Sequence, residues 1–97
     1  MTFQEFSQSV ADVNPPEKIS VLLEAMWCDA NGQWSKAHEI AQDVATTQGA
    51  WVHAFLHRKE GDEGNAGYWY RKAAKPFPSK TLQEEWQEIV VALLTNA

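Results

Sequence analysis

The sequence predicts an all-α fold of about six short helices, on three observations. Apolar residues recur at three- and four-residue spacing through most of the chain. No segment alternates apolar and polar residues as a half-buried strand does. Glycine- and proline-bearing breaks separate the periodic stretches. The 97 residues suit a single helical domain, 1–97, and hydrophobic residues make up 44% of them. Five tryptophans supply core volume, each able to bury roughly 150–250 Å².

The elements follow in order. Thr2 with Glu5 three residues on is a capping-box pattern and opens a helix to about Val13. Asn14, Pro15 and Pro16 end it, and since proline suits a first helical turn, the second helix is expected to begin near Pro16. Ile19, Leu22, Leu23, Met26 and Trp27 give that helix one apolar stripe, and Asn31-Gly32 breaks it. A third helix is expected from Trp34 to Thr46, with Trp34, Ala37, Ile40, Ala41 and Val44 on one side and Gln48-Gly49 as its punctuation. The fourth, about Ala50 to Glu60, spreads Trp51, Val52, Ala54, Phe55 and Leu56 around its circumference, as a central, well-covered helix does. After Gly61-Asp62 the fifth runs from about Glu63 to Ala74, burying Ala66, Trp69, Tyr70, Ala73 and Ala74. Pro76-Phe77-Pro78 stops it. The last helix, started by Ser79 to Thr81, carries the cleanest stripe: Leu82, Trp86, Ile89, Val90, Leu93 and Leu94.

Two of these hairpins repeat. Gly32 and Ala37 recur 29 residues later as Gly61 and Ala66, each glycine closing one helix and each alanine lying inside the next. A glycine between paired helices with an alanine five residues on resembles the tetratricopeptide repeat, in which the small residue lets the helices approach closely. Tyr70, Ala73 and Pro78 then fall where that repeat favours an aromatic, a small residue and a proline, and Ala66 to Ala74 is similar to the second helix of Sel-like repeats. The resemblance implies two tetratricopeptide-like helical hairpins, in units of about 18–47 and 50–78, with an N-terminal capping helix and a C-terminal one at about 80–96. Two repeats are fewer than the three a solenoid generally needs, so the end helices must cover the core. The first unit departs from the pattern at Ala41, which stands at the aromatic position, and 29 residues is shorter than the standard 34. The string from Trp51 to Arg71 also resembles a family of small bacterial proteins with no assigned role, which implies no chemistry.

Composition narrows the function. Cys28 is the only cysteine, so neither an intramolecular disulfide nor a cysteine zinc cluster is possible, and a reducing cytoplasm is the expected location. The N-terminal residues lack a signal peptide's basic start and apolar run, and the longest apolar run, Ile89–Leu94, is far short of a membrane span. A net charge of −5 argues against nucleic acid as a partner. The charge is uneven: Arg58, Lys59, Arg71, Lys72, Lys75 and Lys80 crowd residues 51–80 against only Glu60, Asp62 and Glu63. That stretch reads either as a solvated, charge-balanced face or as a surface for an acidic partner or small anion.

Two constellations carry possible chemistry. His53 and His57 are four apart on one helical face, with Glu60 three residues further, and His38 and Glu39 lie on the preceding helix. Such histidines can share a metal, with Glu60 completing three protein ligands and His38 or Glu39 adding a fourth. The zinc-protease motif is not met, because Ala54 stands where its glutamate belongs. The alternative is that both histidines, opposite Trp51 and Phe55, face water or hydrogen-bond to a neighbour. The second constellation is Asp62, Asn65, Tyr68 and Arg71, which together with His53, His57 and Glu60 would line a groove for an acidic peptide or small anion. Its alternative is that Asp62 caps the fifth helix and Arg71 pairs with an acid. Gly67, inside that helix, suggests close approach of a neighbouring backbone.

No nucleophile–base pair is legible, Cys28 reads as a buried inert thiol, and no phosphate-binding glycine loop follows a strand. No catalytic residue and no cofactor is therefore named. The expected function is a non-catalytic protein-interaction or self-association module, with a dimer as one form it would take. The alternative is binding of a small anion or metal at the His53, His57, Glu60, Tyr68 and Arg71 face.

Overall fold

The computed structural model describes residues 1–95, and among them every regular element is a helix. Six helices run in order: α1 Phe3–Ser9, α2 Val21–Ala30, α3 Trp34–Gln42, α4 Thr47–Glu60, α5 Glu63–Lys72 and α6 Leu82–Thr95. The expected extension of the last helix to residue 96 lies outside the described residues. Helix α2 packs along α3 and α4 along α5, α3 joins the two pairs by lying against α4, and α6 closes the assembly against α1, α2 and α4. None of the helices is long and apolar enough to cross a membrane.

Local signals explain most boundaries. Thr2 and Glu5 form the reciprocal capping box, with Thr2 N–H on Glu5 Oε1 at 2.8 Å and Glu5 N–H on Thr2 Oγ1 at 3.1 Å. Thr81 and Glu84 repeat the device before α6 at 2.9 and 3.1 Å. Gly61 ends α4 at φ 89°, a left-handed conformation that costs glycine little.

Four expectations need correction. The first helix stops at Ser9 rather than near Val13. Helix α2 begins at Val21 and not at Pro16, because Ser20 Oγ caps it by accepting from Leu23 N–H at 3.2 Å and Lys18, at φ 62°, turns the chain just before. Helix α3 ends at Gln42 and α4 already starts at Thr47, since Thr46 Oγ1 accepts from Gly49 N–H at 3.0 Å. Gly49 is thus the cap's donor inside the first turn and not a break. Finally, Ala74 is exposed rather than buried, in a left-handed conformation at φ 58° that follows the end of α5.

The core is organised around α4, in which all nine residues from Gly49 to His57 are buried. A helix enclosed on this scale needs residues that fit closely, and Gly49 shows how closely: a Cβ there would stand 2.1 Å from the Val44 carbonyl oxygen. Trp27, Phe55, Leu56, Met26 and Ile89 fill the interior. Indole donors tie distant elements together, Trp27 reaching Ser9 O at 3.0 Å and Trp86 reaching Met26 O at 3.2 Å. Phe3 and Phe6 pack their rings on Trp86 with centroids 5.8 and 5.9 Å away, which seats α1 on α6. Cys28 is fully buried, and desolvation pushes its thiol pKa up, so it is inert packing.

Candidate functional site: a buried imidazole cluster

Helix α4 presents His53 and His57 one turn apart, and α3 crosses it so that His38 meets both. The three rings lie with centroids 4.6 Å (His38–His53), 4.8 Å (His53–His57) and 5.0 Å (His38–His57) apart. One ring nitrogen from each falls within 4.8 Å of the others. His38 Nε2 and His53 Nε2 are 3.0 Å apart. Two nitrogens bound to one ion at about 2.0–2.1 Å would be about 3.0 Å apart at a right angle and about 3.4 Å apart at a tetrahedral one. The His38–His53 pair therefore stands at a ligand spacing, with the His57 nitrogen within 4.8 Å of both.

Of water and a neighbouring hydrogen-bond partner, the two alternatives to a metal, the structure shows the second: His53 and His57 are only 6% and 8% exposed, and their ring nitrogens meet His38 and Glu60. Two tryptophans enclose them. Trp34 stacks on His38 at 5.1 Å and meets His57 edge-on at 6.2 Å, while Trp69 stacks on His53 at 4.1 Å. The Trp34 indole is itself anchored, donating to Leu56 O at 2.9 Å.

Burial decides the charge state. Desolvation, reinforced by repulsion from the His38 and His57 charges, pushes His53 down to about 4. His38 is lowered too, mainly by desolvation and then by His57, with Glu60 and Glu39 opposing. Both rings are thus neutral at pH 7, the form that coordinates metals. The 3.0 Å contact between their Nε2 atoms needs one proton, given by one ring and accepted by the other. His57 is oriented differently. Its Nδ1 lies 2.7 Å from Glu60 Oε1, and a carboxylate only accepts, so Nδ1 carries the proton of that bond.

The remaining sequence candidates divide. Glu60 belongs to the cluster as the carboxylate behind His57. Asp62 lies close to His57 and Glu60, but its oxygens are occupied: Oδ1 accepts from Asn65 N–H at 3.1 Å and Oδ2 from the Asn65 amide at 3.0 Å. These bonds, the side-chain one foremost, hold its pKa below the usual carboxylate value. Asp62 and Asn65 together form the cap of α5. Tyr68 and Arg71 are exposed; Tyr68 touches the edge of Trp69 and lies 5.5 Å under Lys72 Nζ, while Arg71 runs beside Gly67. Gly67 is not a site of close approach, since a Cβ there would meet only Arg71 Nη1, at an ordinary 3.6 Å.

Sequence reasoning missed two features. It assigned Trp34 and Trp69 to apolar stripes, although Trp34 precedes His38 by one helical turn. It also overlooked a second buried polar cluster, on Glu85. That carboxylate is 1% exposed and accepts from Arg58 Nη1 at 2.8 Å, from Trp51 Nε1 at 3.3 Å and from the Tyr70 hydroxyl, which lies 2.8 and 2.6 Å from its two oxygens. Arg58 also donates to Lys80 O. Burial, then the Glu85 hydrogen bond, pushes the Tyr70 pKa far up. The signal was present: Glu85 lies three residues after Leu82 and four before Ile89, on the apolar stripe of α6.

Comparison with known proteins finds no matching family model, no matching curated protein and no matching solved structure.

Proposed function

We propose that this protein binds a divalent transition-metal ion through His38, His53 and His57, with zinc as the best fit. The observation that carries the reading is the convergence of three imidazoles from two helices, two of them buried and one half-buried, with a carboxylate behind His57. Three imidazole nitrogens match the three-protein-ligand sites of zinc, which leave a fourth position for water or another ligand. Glu60 supplies the outer carboxylate that fixes the tautomer and orientation of His57. The indoles of Trp34 and Trp69 supply an apolar shell that strengthens electrostatic interaction with an ion. Copper(II) is expected to bind more tightly in vitro, as the general affinity order for nitrogen sites requires.

Calorimetric titration of chelator-treated protein with Zn²⁺ tests this. One ion per chain is expected, and His53→Ala and His57→Ala are each expected to abolish binding. Equal zinc binding by wild type and both variants would refute the assignment, as would no binding at all.

A second reading, a protein-interaction or self-association module, draws support from a different place. Met1 and Val91 are exposed beside the half-buried Phe3 and Leu94 where α1 meets α6, an apolar patch of the kind that mediates association. Light scattering across a concentration series, with Val91→Glu alongside, separates a self-associating chain from a monomer.

A further inference from the structure

Four of the five tryptophans place their indole N–H on a protein acceptor: Trp27 on Ser9 O, Trp34 on Leu56 O, Trp51 on Glu85 and Trp86 on Met26 O. The fifth, Trp69, is half-buried and has no acceptor among the described residues. It lines a cleft of about 400 Å³, bounded by the end of α3, the link to α4, the first turns of α4 and one side of α5. That volume lies within the range of small-molecule sites.

The lining of this cleft is one-sided in charge. Lys72 stands at its edge, and its ammonium pairs with no carboxylate among the described residues, lying only over the Tyr68 ring at 5.5 Å. No acidic side chain lines the cleft, although the whole chain carries a net charge of −5. His53 forms part of the wall, and its Nδ1 makes no hydrogen bond to the described residues. The opening turn of α4 borders the same space and adds the partial positive charge of a helix start. Val44, Ala45 and Ala50 contribute an apolar strip, and the uncharged polar side chains of Gln42, Thr46 and Thr47 complete the lining. Donors without acceptors at one side, and methyl groups at the other, describe the complement of an amphipathic anion.

We propose that this cleft binds a small monocarboxylate with a short apolar body. The carboxylate accepts from Trp69 Nε1–H and pairs with Lys72 Nζ, and the body lies against Val44, Ala45 and Ala50. A fully charged, strongly hydrated ligand such as inorganic phosphate fits less well, because it gains nothing from the apolar wall. The cleft shares His53 with the imidazole cluster, but the proposal does not depend on a metal there.

The experiment follows the Trp69 indole N–H resonance in two-dimensional ¹H–¹⁵N spectra of chelator-treated protein, with the peak assigned by its loss in Trp69→Phe. The probes are butyrate, benzoate, butyramide and inorganic phosphate. Butyrate or benzoate is expected to shift the Trp69 peak saturably while the buried Trp27 peak stays in place. Lys72→Gln, an exposed change that spares the core, should weaken that binding about tenfold, the usual effect of losing one charged hydrogen-bond partner. The proposal is overturned if neither carboxylate moves the peak at millimolar concentration, or if butyramide moves it as readily as butyrate. Phosphate acting alone, or an unchanged affinity in Lys72→Gln, overturns it equally. Because metal is removed throughout, these outcomes are independent of whether zinc binds the histidines.

Discussion

Helix α4 separates two buried polar clusters that have opposite accounts of their hydrogen bonds. On the side facing α6, Glu85 is saturated: Arg58, Tyr70 and Trp51 all donate to it, and the second arm of Arg58 finds Lys80 O. On the side facing α3 and α5, the imidazoles hold spare capacity. His57 Nε2 makes no hydrogen bond to the described residues, His38 and His53 share one proton between two Nε2 atoms, and the neighbouring Trp69 donor has no acceptor among those residues. A saturated buried network can only hold a structure together, whereas an unsaturated one offers positions to a ligand. This contrast distinguishes architecture from site more clearly than burial does, since each side mixes buried groups (Glu85; His53 and His57) with half-buried ones (Arg58; His38 and Trp69).

The contrast breaks first under substitution. Glu85→Ala leaves a guanidinium and a phenol without their acceptor, and a loss of about 3–5 kcal/mol is expected in urea denaturation. A loss below about 1 kcal/mol would mean that Glu85 is not the organising group.

Acid should then attack the other side. The folded His53 titrates near 4 against an ordinary value of 6.5. Because its folded pKa is depressed, the stabilisation is complete above about 6.5 and is lost as pH falls toward 4, by up to about 3 kcal/mol. Denaturation between pH 7 and 4 should show this slope, and His53→Phe should flatten it.

Zinc sharpens the comparison. At a hundred times its dissociation constant, the ion should add about 2.7 kcal/mol to the wild type and nothing to His57→Ala. Thermal melts with and without Zn²⁺ measure it, and Glu85→Gln, folded but altered on the opposite side, should retain the effect. The smallest change lies outside both clusters. Gly67→Ala, whose methyl group would meet only Arg71 Nη1 at an ordinary 3.6 Å in mid-helix, should stabilise the protein by about 0.5–1 kcal/mol.

Much of this was legible in the sequence where a local rule has one solution. The Thr2–Glu5 box, the Gly61 turn and the stripe of α6 were readable because each depends on residues within a few positions of one another. The four-residue spacing of His53 and His57, and the candidacy of His38, were legible for the same reason. Their burial was not. A periodicity argument treats histidine as polar and turns it outward, and only the crossing of α3 over α4, with Trp34 and Trp69 as lids, turns these rings inward. Pro16 misled because a proline suits a helix start without requiring one, and Ser20 had the better cap. Gly49 misled because a glycine that ends a helix and one that admits a neighbour look alike in a sequence. Glu85 went unnoticed because its partners Arg58 and Tyr70 lie 27 and 15 residues away.

Gly49 sets the span of the imidazole cluster. It precedes His53 by four residues, one helical turn, and its bare Cα is what allows α4 to lie against Val44 in the segment that follows His38. A methyl group at position 49 would act as a wedge at the pivot, displacing the helix that carries two of the three imidazoles relative to the third. The span between His38 and His53 is therefore set at a distance, by an atom the chain leaves out. Gly49→Ala would disable the site with every imidazole still in place, a lesion that a search confined to coordinating side chains would never find.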